Sequence, residues 1–289
     1  MDEAGAARLT VAGPTVDWVA VAGGSAWVAV GNAVKRLDGD DGAELATIPM
    51  PGETCLAMDV GFGSVWVGVC RAGVPMLVRI NPGTGKEVAR IKLDLDDLQY
   101  ESSVAAGEGA VWALELGGKR LVKIDPASNR VTTTFELPGG LGGVRAGLGG
   151  VWIAAPAAGQ VLRVDPATGA VVVKIKVGPG PQFLAIGDGA VWAMNARDGT
   201  VSRIDPVTNA VVATIPVSPN PIEGGDISFG GGAIWARVTD QLVARIDPAR
   251  NAVVARYGPP AGSGGVAADD TAAWISAHDV NAVWRLPLR

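Results

Sequence analysis

Apolar residues recur along this chain in short alternating runs, and seven of those runs lead to a tryptophan. The residues eight and six places before it are apolar in every instance: Val19 and Val21, Met58 and Val60, Val104 and Ala106, Val144 and Ala146, Leu184 and Ile186, Ile227 and Phe229, Val266 and Ala268. A period of two marks a strand with one buried face. A turn follows, and then Trp27, Trp66, Trp112, Trp152, Trp192, Trp235 or Trp274, at steps of 39, 46, 40, 40, 43 and 39 residues. The copy over 183–217 displays the whole unit: Phe183 to Ile186, a Gly187-Asp188-Gly189 turn, Ala190 to Met194, a second turn, Thr200 to Ile204, the turn Asp205 to Asn209, and Ala210 to Val217. Four short strands in roughly 40 residues make one blade of a β-propeller. Seven copies predict an all-β, seven-bladed β-propeller with four antiparallel strands per blade, one domain over 1–289.

The tryptophans read as scaffold, large rings that fill the wedge between successive blades. A second signature closes the third strand: Asn81-Pro82-Gly83-Thr84-Gly85, Asp125-Pro126-Ala127-Ser128-Asn129, Asp165-Pro166-Ala167-Thr168-Gly169, Asp205-Pro206-Val207-Thr208-Asn209 and Asp247-Pro248-Ala249-Arg250-Asn251. The Asp or Asn accepts a backbone N–H two residues on, proline presets φ, and the closing Gly or Asn tolerates positive φ. These aspartates are therefore expected to build hairpins, not to catalyse. The last repeat, over 263–289, supplies three strands. The fourth is found at the other end of the chain, where Ala7 to Val11 (about 7–12) matches the fourth-strand type, so a one-plus-three blade should clasp the ring shut and remove its open edges.

The strings Ala190-Val191-Trp192-Ala193 through Arg203-Ile204-Asp205-Pro206, and Val211 to Val217, resemble the YVTN-type and streptogramin lyase-like (virginiamycin B lyase-like) bacterial propellers, over essentially the whole chain. The lyase resemblance implies a C–O bond-cleaving site with histidines, a carboxylate and magnesium at the mouth of the ring. His278 is the only histidine here, so no catalytic residue carries over. Copper sites built from histidine clusters are disfavoured by the same count.

Composition narrows the setting. No apolar run reaches the ~18 residues of a membrane span. The net charge of −5 comes without a block of like charges, which argues against nucleic acid or an anionic membrane as partner. The first residues lack the basic and apolar regions of a signal peptide, as a trimmed mature chain also would. Cys55 and Cys70 flank the Gly61-Phe62-Gly63 turn; pairing across it with positional sums near 125 puts them opposite one another, where a disulfide fits, the alternative being two small buried thiols. An oxidised pair implies an extracytoplasmic protein, periplasmic or secreted. A monomer is expected.

Candidate chemistry lies where the repeats stop resembling each other. Nine to twelve residues before the tryptophans stand Asp17 and Trp18, Tyr100 to Ser103, Gln182 and Phe183, Glu223 and Asp226, and Ser263; seven before them, Asp59 and Arg145 interrupt a series of small residues and are expected to approach the central channel. A second ring of loops adds Arg71, Glu115, Lys119, Asn195, Arg197, Arg237, Asp240, His278 and Asp279. The functional reading is a shallow polar pocket of Asp17, Trp18, Glu101, Ser103, Arg145, Gln182, Phe183, Glu223, Asp226 and His278. Trp18 and Phe183 would be its aromatic walls, and Glu101, Glu223 and Asp226 its carboxylates, suited to a small polar or cationic ligand or to Ca²⁺ or Mg²⁺ bound through oxygen. The structural alternative makes the acids loop caps and the aromatics covers for the core ends, with Asp59 and Arg145 neutralising a watery channel. His278 and Asp279, adjacent on an extended segment, would point to opposite faces. The leading function is an extracytoplasmic, non-enzymatic module that binds a small molecule, peptide or partner at the channel mouth. The alternatives are a divalent-metal-dependent lyase or lactone hydrolase of the streptogramin lyase-like or gluconolactonase-like kind, or a purely structural interaction module.

Overall fold

A computed structural model describes residues 7–11, 15–70 and 73–288; Ala12 and Arg71 lie outside them. Seven four-stranded antiparallel sheets form the ring, in chain order within each sheet except the last. The innermost strands are Val16–Ala22, Glu53–Gly61, Val104–Gly107, Val144–Gly147, Pro181–Gly187, Asp226–Gly230 and Val266–Ala268. In the closing sheet Ala7–Thr10 pairs with Ala282–Pro287, Ala7 opposite Arg285 and Thr10 opposite Ala282, so the N-terminal strand completes the seventh blade as its pattern predicts.

The tryptophans hold successive blades together. Each stands directly opposite the residue seven places before it, as in Asp59↔Trp66, Arg145↔Trp152 and Ala267↔Trp274. Its ring is buried against the next blade: Trp66 packs with Val104, Val111 and Val122, and Trp274, across the seam, with Val19, Val28 and Leu37. A buried indole still needs a partner for its N–H. Trp66 Nε1 donates to the Gly61 carbonyl at 3.0 Å, and Trp112, Trp152, Trp192 and Trp235 likewise reach the carbonyl five residues back.

A basic residue on the third strand completes this device. Arg36, Arg79, Lys123, Arg163, Arg203, Arg245 and Arg285 pair across from the seven tryptophans and place their cationic heads 4.8 to 5.9 Å from the ring centroids. Several also reach into the next blade's Asx-Pro turn. Arg79 donates to the Pro126 carbonyl and Asn129 Oδ1, Arg163 to Pro206 and Asn209, Arg203 to Pro248 and Asn251, and Lys123 to Pro166. At the seam Arg285 donates to the Gly39 carbonyl at 2.7 Å. One side chain thus covers its own tryptophan and latches the following blade.

The turns follow their sequence logic. Asn81, Asp125, Asp165, Asp205 and Asp247 each accept the N–H two residues on, at 2.7 to 3.0 Å, and Asn129, Asn209 and Asn251 adopt positive φ. Cys55 and Cys70 form a disulfide with a Cα separation of 5.4 Å. Their register differs from the simple hairpin count. The sums near 125 hold from Met58↔Val67 to Gly61↔Ser64, but a bulge between Thr54 and Met58 shifts the pairing, so that Glu53, not Cys55, stands opposite Cys70. Bulges are common where an inner strand must re-aim its backbone next to a site.

Candidate functional site

The inner strands surround an axial cavity of about 370 Å³. Ala20, Asp59, Arg145, Ala185, Ser228 and Ala267, each seven residues before a tryptophan, line it together with Trp18 and Asp226. Small side chains at this level leave the channel its width. Asp59 and Arg145 therefore reach the channel as their place in the repeat suggests.

Trp18 and Phe183 correct the expectation of two walls around an open pocket. They belong to blades one and five, which share no edge, yet their ring centroids lie 6.1 Å apart, so the contact crosses the channel. Both are almost fully buried in one apolar cluster with Ala20, Met58, Ala185 and Ile227. Two large rings projecting inward at the same level meet and close that level of the axis. Burying them against each other removes more apolar surface from water than holding them apart.

Beside this contact lies a network of charges. Arg145 Nη1 donates to Ser102 Oγ at 2.7 Å and to the Val144 carbonyl at 2.9 Å. Its charge acts on two carboxyls from blades on either side, Asp59 and Asp226. Asp59 binds backbone with both oxygens, accepting from Ala106 N of the next blade at 2.8 Å and from Val60 N at 2.9 Å. Asp226 Oδ2 accepts from Val266 N, also of the next blade, at 3.1 Å, while its buried Oδ1 has no partner among the described residues.

The neighbouring loop carries Glu101. Glu101 and Ser102 both adopt left-handed backbone, φ 56° and 53°, which costs a residue with a Cβ about 1–2 kcal/mol. Contacts to three blades impose it. Glu101 N donates to the Cys55 carbonyl in the bulge at 3.0 Å, Ser102 accepts from Val144 N at 2.9 Å, and the Ser103 carbonyl accepts from Leu114 N at 2.9 Å. Asp17, from blade one, completes the group. It is 3% exposed, its Oδ1 lacks a partner among the described residues, and its Oδ2 lies 3.6 Å from His278 Nδ1. His278, on a short 3₁₀ turn, thus approaches Asp17 and not Asp279, whose Oδ2 accepts from Gly262 N at 2.8 Å.

Burial dominates the electrostatics. Desolvation pushes the Asp17 carboxyl up to about 6 against the pull of Arg237. Desolvation, then the nearby Asp17 charge, pushes Glu101 up to about 7. Desolvation, reinforced by Glu101, pushes Asp226 up to about 7 although Arg145 opposes it. Asp59 is also raised by burial. Arg237, fully buried, donates to the carbonyls of Val238, Leu242, Gly262 and Ser276, and burial pushes it down to about 10 while Asp279 and Asp17 hold it up. Carboxyls titrating near neutrality can exchange a proton for a positively charged ligand.

The structure brings Asp17, Glu101, Arg145 and Asp226 into one electrostatic group with Trp18 and Phe183 beside it. Ser103 is buried with an unpartnered Oγ, and half-buried Gln182 accepts Gly143 N through its carbonyl. Glu223 does not join them. It is exposed, in an outer groove with Pro221, Thr239, Pro260 and Asp279, because the Gly224-Gly225 turn, with Gly224 at φ 73°, carries it away from Asp226. The carboxylate trio of Glu101, Glu223 and Asp226 is thus not assembled. Among the described residues no three His, Cys, Asp or Glu side chains converge as metal ligands. Ser102 and Arg237 stand among the irregular positions read from the sequence but outside the expected pocket; their bonds to Arg145 and to four backbone carbonyls depend on contacts between blades.

No protein-family model and no curated protein sequence matches the chain. Its fold is similar to solved propellers. The WD40 repeats of RRP9 align with a TM-score of 0.83 at 11% identity, covering 99% of this chain and 98% of that one. The structure of U3-55K gives 0.82 at 10%, covering 99% of each. The Neurospora crassa Pan2 WD40 domain gives 0.75 at 11%, covering 100% of this chain and 98% of that one. At such identities the likeness extends to the seven-bladed fold alone.

Proposed function

We propose that this chain is an extracytoplasmic binding propeller, acting as a monomer, whose functional surface is the axial mouth formed by Asp17, Glu101, Arg145 and Asp226. The observation that carries the reading is the pair of buried carboxyl oxygens, Asp17 Oδ1 and Asp226 Oδ1, without partners among the described residues, the second on a side chain that lines the axial cavity. A buried polar atom left unpaired costs about 1–3 kcal/mol, and a bound ligand is one way of recovering it. The disulfide and the streptogramin lyase-like repeat support an extracytoplasmic setting. The closed ring, which pairs its own ends, supports the monomer.

A thermal-shift screen of small molecules against the wild type and Asp226→Asn tests the reading. Ligands that stabilise the wild type and lose their effect in the variant support it; a library in which no compound distinguishes the two overturns it. The metal-dependent lyase or lactone hydrolase remains the second reading, resting on the family resemblance. The outward placement of Glu223 weighs against its ligand set, and a chelator that leaves thermal stability unchanged while added Ca²⁺ and Mg²⁺ do nothing would remove it.

A further inference from the structure

One level of the axial channel mixes bland residues with charged ones. Each residue seven places before a repeat tryptophan stands opposite that tryptophan, so the seven share a height in the ring. Four of them are Ala20, Ala105, Ala185 and Ala267. The other three, Asp59, Arg145 and Ser228, belong to blades two, four and six, with an alanine blade on either side of each. All three are half-buried and line the cavity of about 370 Å³. The opposite charges at this level do not meet. Arg145 Nη1 is tied to Ser102 Oγ and the Val144 carbonyl, its other nitrogens have no hydrogen-bond partner among the described residues, and no ion pair joins it to a described acid. Asp59 is held by one backbone N–H on each oxygen, and each carboxylate oxygen can accept a second donor. A cation and an anion, each anchored, thus face one cavity without touching.

We infer that the axial cavity binds a small zwitterion, an amino acid with its ammonium group at Asp59 and its carboxylate at Arg145 and Ser228. The inference rests on the reading of the axis as the binding surface and adds the ligand's chemical class. A lone amine would leave Arg145 unpaired, and a lone carboxylate would face Asp59 and Asp226 as well as Arg145; a zwitterion complements both signs and brings no net charge into the cavity. Asp226, with its unpartnered Oδ1, lines the same cavity and adds to the pull on the ammonium. The remaining walls are mostly apolar, Ala20, Met58, Ala185 and Ile186 among them, and suit the carbon chain between the charges. No lining residue lies beyond Trp18 and Asp226, nine places before their tryptophans, and from there the walls run to Val60, Ala146 and Ala268 beside the turns that lead to the second strands. The site therefore lies on the turn side of the Trp18–Phe183 contact.

Glycine, β-alanine and 4-aminobutyrate, which carry the two charges at increasing separation, are suitable probes, with butylamine and butyrate as the single-charge matches to the longest, each titrated into the full chain by calorimetry. One of the zwitterions is expected to bind at least about tenfold more tightly than either single-charge compound, as a second charge-assisted contact requires. Asp59→Asn, which removes the charge and keeps the shape, should weaken that zwitterion about tenfold and leave butyrate no weaker than before. Ser228→Ala, a smaller change at the carboxylate end, provides the readout should the first variant fold poorly, and should weaken zwitterion and butyrate alike. Butylamine or butyrate binding as tightly as every zwitterion overturns the zwitterion inference and leaves the axis as a binding surface. Zwitterion binding unchanged in both variants overturns the placement at this level. Failure of every probe to bind overturns the inference as a whole, whereas the reading of the axis as a binding surface stands or falls separately on the Asp226→Asn screen.

Discussion

Asp165 at the rim of the ring and Asp226 at its axis carry the same carboxyl group under opposite conditions. Asp165 accepts the N–H groups of Ala167 and Thr168 and the Thr168 hydroxyl in an open turn, and those bonds hold its carboxyl below the usual range. Asp226 accepts the Val266 N–H deep in the ring and is pushed up to about 7 by burial. Asp125 and Asp205 resemble Asp165; Asp17 and Glu101 resemble Asp226. The lesson is that the repeat spends its acids on hairpins, and the exceptions tolerate a destabilising environment. Such exceptions are where binding chemistry is to be sought.

The comparison has a sign. Rim carboxylates with lowered pKa contribute stability above their unfolded values, lost as pH falls through the folded ones; axial carboxyls with raised pKa contribute stability below about 4, lost as pH rises through 6 to 7. The unliganded protein should therefore melt highest between those limbs, and a melting temperature that climbs steadily from pH 4 to 8 would break the contrast.

Arg145→Met should have the largest effect. It strands Asp59 and Asp226 without their shared cation, and denaturant unfolding at pH 8 should show a loss of ~3–5 kcal/mol that shrinks at pH 5 as the acids protonate. Next, reducing the Cys55–Cys70 bond or replacing both residues by serine should cost ~3 kcal/mol, the value for a loop of about 15 residues, and should loosen the Cys55 carbonyl that holds Glu101 N. Urea midpoints under reducing and oxidising conditions measure this. Glu101→Gln works in the opposite direction: it removes a group whose ionised form burial disfavours, so it should stabilise the protein by ~2 kcal/mol at pH 8 and leave it unchanged at pH 4. Asp165→Ala should have the smallest effect, a slight fall in melting temperature at pH 7 that disappears in acid. An Asp165→Ala variant more stable at pH 7 than the wild type would erase the distinction between rim and axis.

Much of the fold was legible because it is written in local chemistry repeated seven times. The tryptophan period, the Asx-Pro turns and the fourth-strand type of Ala7 to Val11 each state a requirement that can be read without knowing neighbours. The basic latch was equally regular, two residues before the third-strand turn in the six blades that have one, but its meaning depends on pairing across to the tryptophan and reaching the next blade. Of the irregular positions of the repeat, Trp18, Asp59, Arg145 and Asp226 line the axial cavity. The sequence could not reveal that Trp18 and Phe183 meet across the axis, because that follows from ring geometry between blades one and five. It also misplaced Glu223, since two glycines leave the direction of the chain undetermined.

The closing sheet also governs how the ring responds to force. Ala7 lies opposite Arg285, and Thr10 opposite Ala282, so the start of the first strand and the end of the last lie at the same side of the seam. Tension between them pulls across the strands, along the direction of the ladder hydrogen bonds, and loads those bonds one after another instead of together. A pull between residues 7 and 287 should accordingly open the propeller at low force, like a zip, before any other blade extends. A seam that closes the ring against thermal fraying is thus its weakest mechanical direction.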